Sequence, residues 1–271
     1  MTTDMENKSN TIKYYLLTTG IVWAVCWMGL AACSHLLDIS LTNNPVMYIP
    51  YLIGGFSPTI GSYAALKRSG TINGIRDWLL RVFDVKKGRA TYVFIPIFLL
   101  AFFVPQCIIS GYDSNVPLVA GFINAIFTLF MGGLEEPGWR GVLHPELENR
   151  FGFIKAVIIV VVIWWLWHLP LFLIKGSPNA EHINYFLYGL SFLGMTPALA
   201  AVYKSGGVFP CILLHTLINS FSGVYLIHYS ILGLLAMSFC MILVSGIMLK
   251  LFHSLNAKKS VPIENRVPYS D

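Results

Sequence analysis

Ile154-Lys155-Ala156-Val157-Ile158-Ile159-Val160-Val161-Val162-Ile163-Trp164-Trp165-Leu166-Trp167-His168-Leu169-Pro170-Leu171-Phe172-Leu173-Ile174 carries one lysine near its start, one histidine near its far end and no acid. A helix of this length spans the hydrocarbon core of a bilayer, which needs about 20 apolar residues. Lipid offers a backbone no hydrogen-bond partners, so such a run reads as a transmembrane helix. The same reading applies to seven other stretches, near 14–37, 46–66, 92–110, 118–134, 185–203, 208–228 and 230–252, the last two separated only by the thin break Gly223 to Ser230. The expected fold is an all-α, polytopic transmembrane bundle of about eight spans.

Composition agrees. Of 271 residues, 56% are hydrophobic and 11% charged, which fits no ordinary soluble class. The basic residues also set an orientation, because Lys and Arg in short loops stay cytoplasmic. With the N-terminus inside, the cytoplasmic segments hold Lys8 and Lys13, then Lys67, Arg68, Arg76, Arg81, Lys86, Lys87 and Arg89, then Arg140, Arg150 and Lys155, then Lys204, and finally Lys250, Lys258, Lys259 and Arg266. Only Lys175 of the 18 falls outside, so both termini are expected to be cytoplasmic. The net charge of +5 is thereby a topology signal, and no nucleic-acid partner is read from it.

No internal repeat is visible. The chain reads as a cytoplasmic tail (1–13), a single bundle (14–252) and a second tail (253–271). Between the second and third spans, Ile72, Ile75, Leu79 and Val82/Phe83 recur at helical spacing among basic residues. An amphipathic helix over about 72–86, lying on the cytoplasmic leaflet as an interfacial anchor or a substrate-docking surface, follows from that spacing. Cys26, Cys33, Cys107, Cys211 and Cys240 show no CxxC pair and read as free thiols in lipid or helix contacts. Leu30-Ala31-Ala32-Cys33 resembles a lipoprotein cleavage box, but the run from Tyr14 is long enough to span and is preceded by Asp4 and Glu6, so a first-span helix is the better reading.

A charged side chain at membrane depth costs on the order of 2.5–3.5 kcal/mol. Eleven of the 13 acidic residues lie in tails or loops; the other two follow an apolar run, in Gly132-Gly133-Leu134-Glu135-Glu136-Pro137-Gly138-Trp139-Arg140-Gly141. If the backbone stays helical, Arg140 is one turn from Glu136 and pairs with it, while Glu135 points away. Two interpretations stay open here: a helix end in interfacial water, or a functional carboxylate. His168 and the pair His215/Asn219, four residues apart on one helical face, place further polar groups on apolar spans. They serve either as interhelical glue or as one convergent site. A carboxylate and an imidazole around a water make a general base, and a second imidazole with a carboxamide can donate to a developing oxyanion.

Glu135-Glu136-Pro137-Gly138-Trp139-Arg140, then Trp164 to His168, then His215 to Asn219 follow the order EExxxR, aromatic-xxx-H, HxxxN/D. In this the chain resembles the CAAX prenyl protease and bacteriocin-processing (CPBP) intramembrane proteases, which include the Rce1-type endopeptidases. The resemblance covers a protease-like core of about 118–228, and Trp164, where the family often has Phe, is a mild departure. It implies that Glu135 and His168 activate the attacking water, that His215 and Asn219 stabilise the oxyanion, and that Glu136 and Arg140 form a supporting ion pair. It further implies either a divalent metal such as Zn, as in a metalloprotease, or a glutamate-and-histidine mechanism without one. HExxH, GxGD and rhomboid-like GxSx motifs are absent.

Three functions compete: an endopeptidase acting on a membrane-associated or lipid-modified peptide or protein; a non-catalytic bacteriocin-immunity or scaffold protein; and a proton-coupled transporter. Transport predicts inverted repeats and paired broken helices, and neither is seen. The full set Glu135, His168, His215 and Asn219 favours catalysis. A multi-pass protein of the bacterial plasma membrane is the expected setting.

Overall fold

The computed structural model describes residues 2–113, 116–225 and 228–259, and among them every regular element is helical. The helices are α1 (Thr2–Trp23), α2 (Gly29–Leu36), α3 (Tyr48–Gly55), α4 (Ser57–Arg68), α5 (Ile75–Val82), α6 (Phe94–Ser110), α7 (Val119–Phe130), α8 (Glu136–Gly138), α9 (His144–Phe151), α10 (Phe153–Trp167), α11 (Pro178–His182), α12 (Tyr185–Gly206), α13 (Val208–Tyr225) and α14 (Ile231–Lys259). Short 3₁₀ and π turns join several of them. The chain is an all-helical integral membrane protein of the multi-pass type.

Among the described residues six segments are long and apolar enough to cross a bilayer: Asn10–Leu36, Arg89–Ser110, Val119–Phe151, Phe153–Phe172, Tyr185–Gly206 and Ile231–Ser254. The two remaining expected spans take different forms. The stretch expected at 46–66 is broken at Phe56 into α3 and α4, with Pro58 in the first turn of α4, where its missing N–H costs nothing. The stretch expected at 208–228 forms a shorter apolar helix, Val208–Val224. Asn10–Leu36 is one rod with a π turn at Ala24–Met28; Cys33, in α2, is a free thiol within that rod. α1 begins at Thr2, so the tail expected over 1–13 continues the first span's helix. Of the tail expected over 253–271, residues 253–259 extend α14, and 260–271 lie outside the described residues. The amphipathic helix is shorter than the expected 72–86, because Gly74 adopts extended backbone and starts it at Ile75.

The largest departure positions the site. An end to the fourth span at 134 would leave Glu135 near the surface. Instead the helical path continues to Phe151, and the single-residue link Gly152 turns it into α10. Glu135 precedes Gly152 by 17 residues and His168 follows it by 16. At helical rise both therefore lie roughly 25 Å from that link, at matching depth.

α12 runs through the middle of the bundle, and its buried face is mostly small: Gly194, Ala198, Ala200 and Ala201. Small residues let helix backbones approach closely where lipid supplies no hydrophobic drive between helices. α10 shows the opposite division, with Ile158, Val162 and Leu166 turned outward and Val160 and Trp164 fully buried. One end of the bundle carries the basic loop after α4 and the Lys204–Glu148 ion pair; the opposite end carries the Lys175–Asp38 pair at 2.6 Å. The Lys175 ammonium holds the exposed Asp38 carboxyl below the usual carboxylate range.

Candidate active site

α7 stops at Phe130 because the chain meets Gly132-Gly133, and a 3₁₀ turn (Gly133–Glu135) brings the chain into α8. Gly132 is required by close approach, since a Cβ there would fall 2.2 Å from Asn219 Nδ2 and 3.3 Å from His215 Nε2. The backbone of this turn thus lies directly against the α13 polar pair. Thr59 Oγ1, from α4, donates to the carbonyl of Leu134 and ties the turn from its other side. A π turn follows at Trp139–Leu143, and Pro145, which has no N–H, stands just beyond it in the first turn of α9. π turns inside helices recur at functional sites.

The two adjacent carboxylates have separate surroundings. Glu135 Oε2 accepts hydrogen bonds from two indoles, Trp139 Nε1 at 3.1 Å and Trp164 Nε1 at 3.0 Å. Glu136 Oε1 accepts from Arg140 Nη1 at 3.1 Å and from His215 Nδ1 at 2.8 Å. The Glu136–Arg140 pair expected one helical turn apart is present, and both side chains are fully buried. Arg140 also lies over the Trp164 ring, its Cζ 4.3 Å from the centroid, a cation–π contact.

A carboxylate only accepts, so the Nδ1 of His215 carries its proton and Nε2 faces Asn219 Nδ2 at 3.2 Å. The carbonyl of Trp164 likewise only accepts, so the Nδ1–H of His168 donates to it at 2.8 Å, leaving Nε2 as the uncommitted nitrogen. The His168 ring stacks on Phe192 at 5.2 Å and meets the edges of Trp167 at 4.7 Å and Tyr188 at 5.1 Å. Glu135 and His168 share a partner, because Trp164 gives its indole N–H to one and its backbone oxygen to the other. The His215 ring stands edge-on to the same indole at 5.2 Å.

All six residues singled out in the sequence therefore converge on Trp164 and the Gly132–Arg140 turn. Trp139 and Trp164 as carboxylate donors, and Phe192 and Tyr188 as walls around His168, are invisible to motif reading. Trp139 and Trp164 left traces, the first by standing four residues after Glu135 on the same helical face and the second as the aromatic of the aromatic-xxx-H pattern. Of the two neighbouring indoles, Trp167 packs on His168 while Trp165 turns away, donating to Tyr185 O at 3.2 Å and stacking on that ring.

Zinc takes three or four N, O or S ligands. Among the described residues no group of three or more His, Cys, Asp or Glu is arranged to hold a metal ion. His215 commits Nδ1 to Glu136 and sets Nε2 against Asn219, while His168 commits Nδ1 to Trp164. The residues present do not fit a zinc centre.

Fold and site together define a polytopic membrane protein with a buried carboxylate–imidazole–carboxamide centre. Residues 113–221 match the family described as Type II CAAX prenyl endopeptidase Rce1-like, a stretch that contains every residue from Glu135 to Asn219. A CAAX prenyl protease 2 of Methanococcus maripaludis is 26% identical over 226 residues, 76% of this chain and 82% of that relative. The matched stretch holds the helices that carry the site, and along most of its length the chain is similar to that prenyl protease.

Proposed function

We propose that the protein is an intramembrane endopeptidase in which Glu135 is the general base toward water, helped by His168, and His215 and Asn219 stabilise the oxyanion, Asn219 as the N–H donor and His215 by orienting that carboxamide through Nε2. The observation that carries this reading is the difference between the two neighbouring carboxylates: Glu136 is tied to Arg140 and His215, whereas Glu135 is oriented by two neutral indoles. A carboxylate so oriented keeps one oxygen for a water proton. The water oxygen adds to the scissile carbonyl carbon as its proton passes to Glu135, and the carbonyl oxygen takes up negative charge beside Asn219 and His215. Collapse breaks the C–N bond, and the proton held by Glu135 leaves on the amine. The products are one carboxylic acid and one amine for each water consumed.

The substrate is a membrane-associated or lipid-modified peptide or protein; the name of the 26%-identical relative makes a prenylated chain end the first class to try. Glu136 and Arg140 hold His215 in place as a supporting ion pair. Both termini and the 67–91 loop lie on the cytoplasmic side, in the plasma membrane of a bacterial cell, with the protease core over about 118–228. Support for that orientation is the gathering of the basic loop, Lys204 and Gly152 at one end of the bundle and of Lys175 at the other. Cysteines introduced at Asn43 and Asn179 should react with an impermeant reagent in intact cells, and one at Lys87 should not; labelling at Lys87 inverts the map. For the activity, peptides from cells carrying the intact protein are compared with those from cells carrying Glu135→Gln. Cleavage products present only with the intact protein are expected, and identical peptide sets overturn the reading in favour of a scaffold.

A further inference from the structure

Away from the catalytic centre, at the end of the bundle that carries the basic loop, a cleft of about 60 Å³ opens between α5, the loop after it and the start of α13. Arg81, Asp84, Lys87, Tyr203, Pro137 and Gly141 are among the residues that line it. We propose that this cleft binds the phosphate-bearing headgroup of an anionic membrane lipid.

Four observations carry the assignment. First, Arg81 and Lys87 are exposed cations that enter no ion pair with an acidic side chain among the described residues. Second, the one acid in the lining is engaged in folding the loop, since Asp84 Oδ1 accepts from the backbone N–H of Lys86 and of Lys87, both at 3.2 Å. Third, the loop is fixed against the bundle. Gly88 takes a left-handed conformation (φ 58°) and approaches α12 so closely that a Cβ would fall 2.0 Å from Ser205 O, while Tyr92 Oη donates to Val85 O at 3.1 Å. That anchoring lays the Lys87 side chain over Gly207, immediately before Val208, the first residue of the 18-residue α13. The first turn of a helix presents unsatisfied N–H groups and partial positive charge, so the dipole and the two cations have the same sign in one place.

Fourth, the cleft is bordered by an amphipathic helix. Ile75, Leu79, Leu80 and Phe83 of α5 are exposed and apolar, while Trp78 and Val82 face the bundle and line the cleft. A helix with that division lies at the headgroup level, where anionic lipids are at hand and each nearby Lys or Arg adds to their attraction. Pro137 and Gly141 form the inner wall of the cleft and flank Glu136 and Arg140, so a bound headgroup packs against the back of the turn that carries the site.

The test uses the full-length purified protein in phosphatidylcholine vesicles with and without phosphatidylglycerol, and it measures binding, independently of any peptidase activity. Phosphatidylglycerol retained after detergent extraction is counted by native mass spectrometry, and the melting temperature is followed in parallel. The double variant Arg81→Gln/Lys87→Gln should retain about tenfold less phosphatidylglycerol than the parent and lose its stabilisation. Arg76→Gln/Lys86→Gln removes the same charge from residues outside the cleft and should retain the lipid. Equal losses from the two double variants reduce the effect to diffuse surface charge and overturn the proposal, as does undiminished retention by the cleft variant. If inorganic phosphate alone raises the melting temperature as far as the lipid does, the lipid is overturned as the source. Should the double variant fail to fold in phosphatidylcholine, Lys87→Gln alone is read against Lys86→Gln by the same criteria.

Discussion

The pockets on either side of the 135–136 peptide bond contain the same functional group and almost nothing else in common. Around Glu136 the partners are ionic or ionisable: Arg140 at 3.1 Å and His215 at 2.8 Å, all but closed to the outside. Around Glu135 they are the neutral N–H groups of Trp139 and Trp164. Neutral donors orient a carboxylate without supplying a counter-charge, whereas a buried guanidinium makes its partner structurally indispensable, because removing one member strands the other. One acid is thus tied into the helix pair, and the other, on the proposed mechanism, is the one left for chemistry.

The comparison breaks most visibly if Glu135→Gln is harmless. Loss of a general base typically costs about 10²–10⁴-fold in rate, and that drop in kcat/KM is expected on a purified substrate, with a melting temperature close to the parent's. A folded Glu135→Gln protein with full activity would return the site to a structural role. Glu136→Gln should behave in the opposite way, since Arg140 is then buried without its carboxylate partner. A stability loss of about 3–5 kcal/mol is expected, seen as lower yield and melting temperature alongside lost activity. If Glu136→Gln is as stable as the parent, the division of labour drawn here is wrong.

Two smaller effects sharpen the same picture. Asn219→Ala removes a neutral donor from the oxyanion side and should lower kcat by about 10²–10³-fold with little change in KM, measured by steady-state kinetics in detergent. A rise in KM alone would assign Asn219 to substrate binding. Trp164→Phe keeps an aromatic ring beside Arg140, His215 and Phe192 but deletes one of the two N–H donors to Glu135. About a tenfold loss of activity is expected, with the remaining Trp139 donor preventing a complete one. An unchanged rate would mean that the second indole alone positions the base.

The element boundaries show where sequence reading stops. Apolar length alone identified the helical regions, but it ended the fourth span at Leu134, since Glu135 and Glu136 look like the start of a loop. The chain instead continues through a 3₁₀ turn, a short helix and a π turn to Phe151, because Arg140, His215 and the two indoles satisfy the acids inside the bundle. The break at Phe56 was equally hidden. Hydropathy is blind to a kink when the residues on both sides are apolar.

What the sequence determined by itself was the class of fold, the lopsided distribution of cations and the identity of the six polar residues. All three follow from local quantities: the cost of placing charge in hydrocarbon, the length needed to cross it and the helical spacing of side chains. Only the tertiary structure decided which carboxylate is paired and which is available, that Glu135 and His168 stand at matching depth about Gly152, and that Trp164 joins them. Those outcomes depend on partners 29 to 79 residues apart in the chain, whose meeting is governed by the packing of α4, α8, α10 and α13 and by the close backbone approach that Gly132 permits.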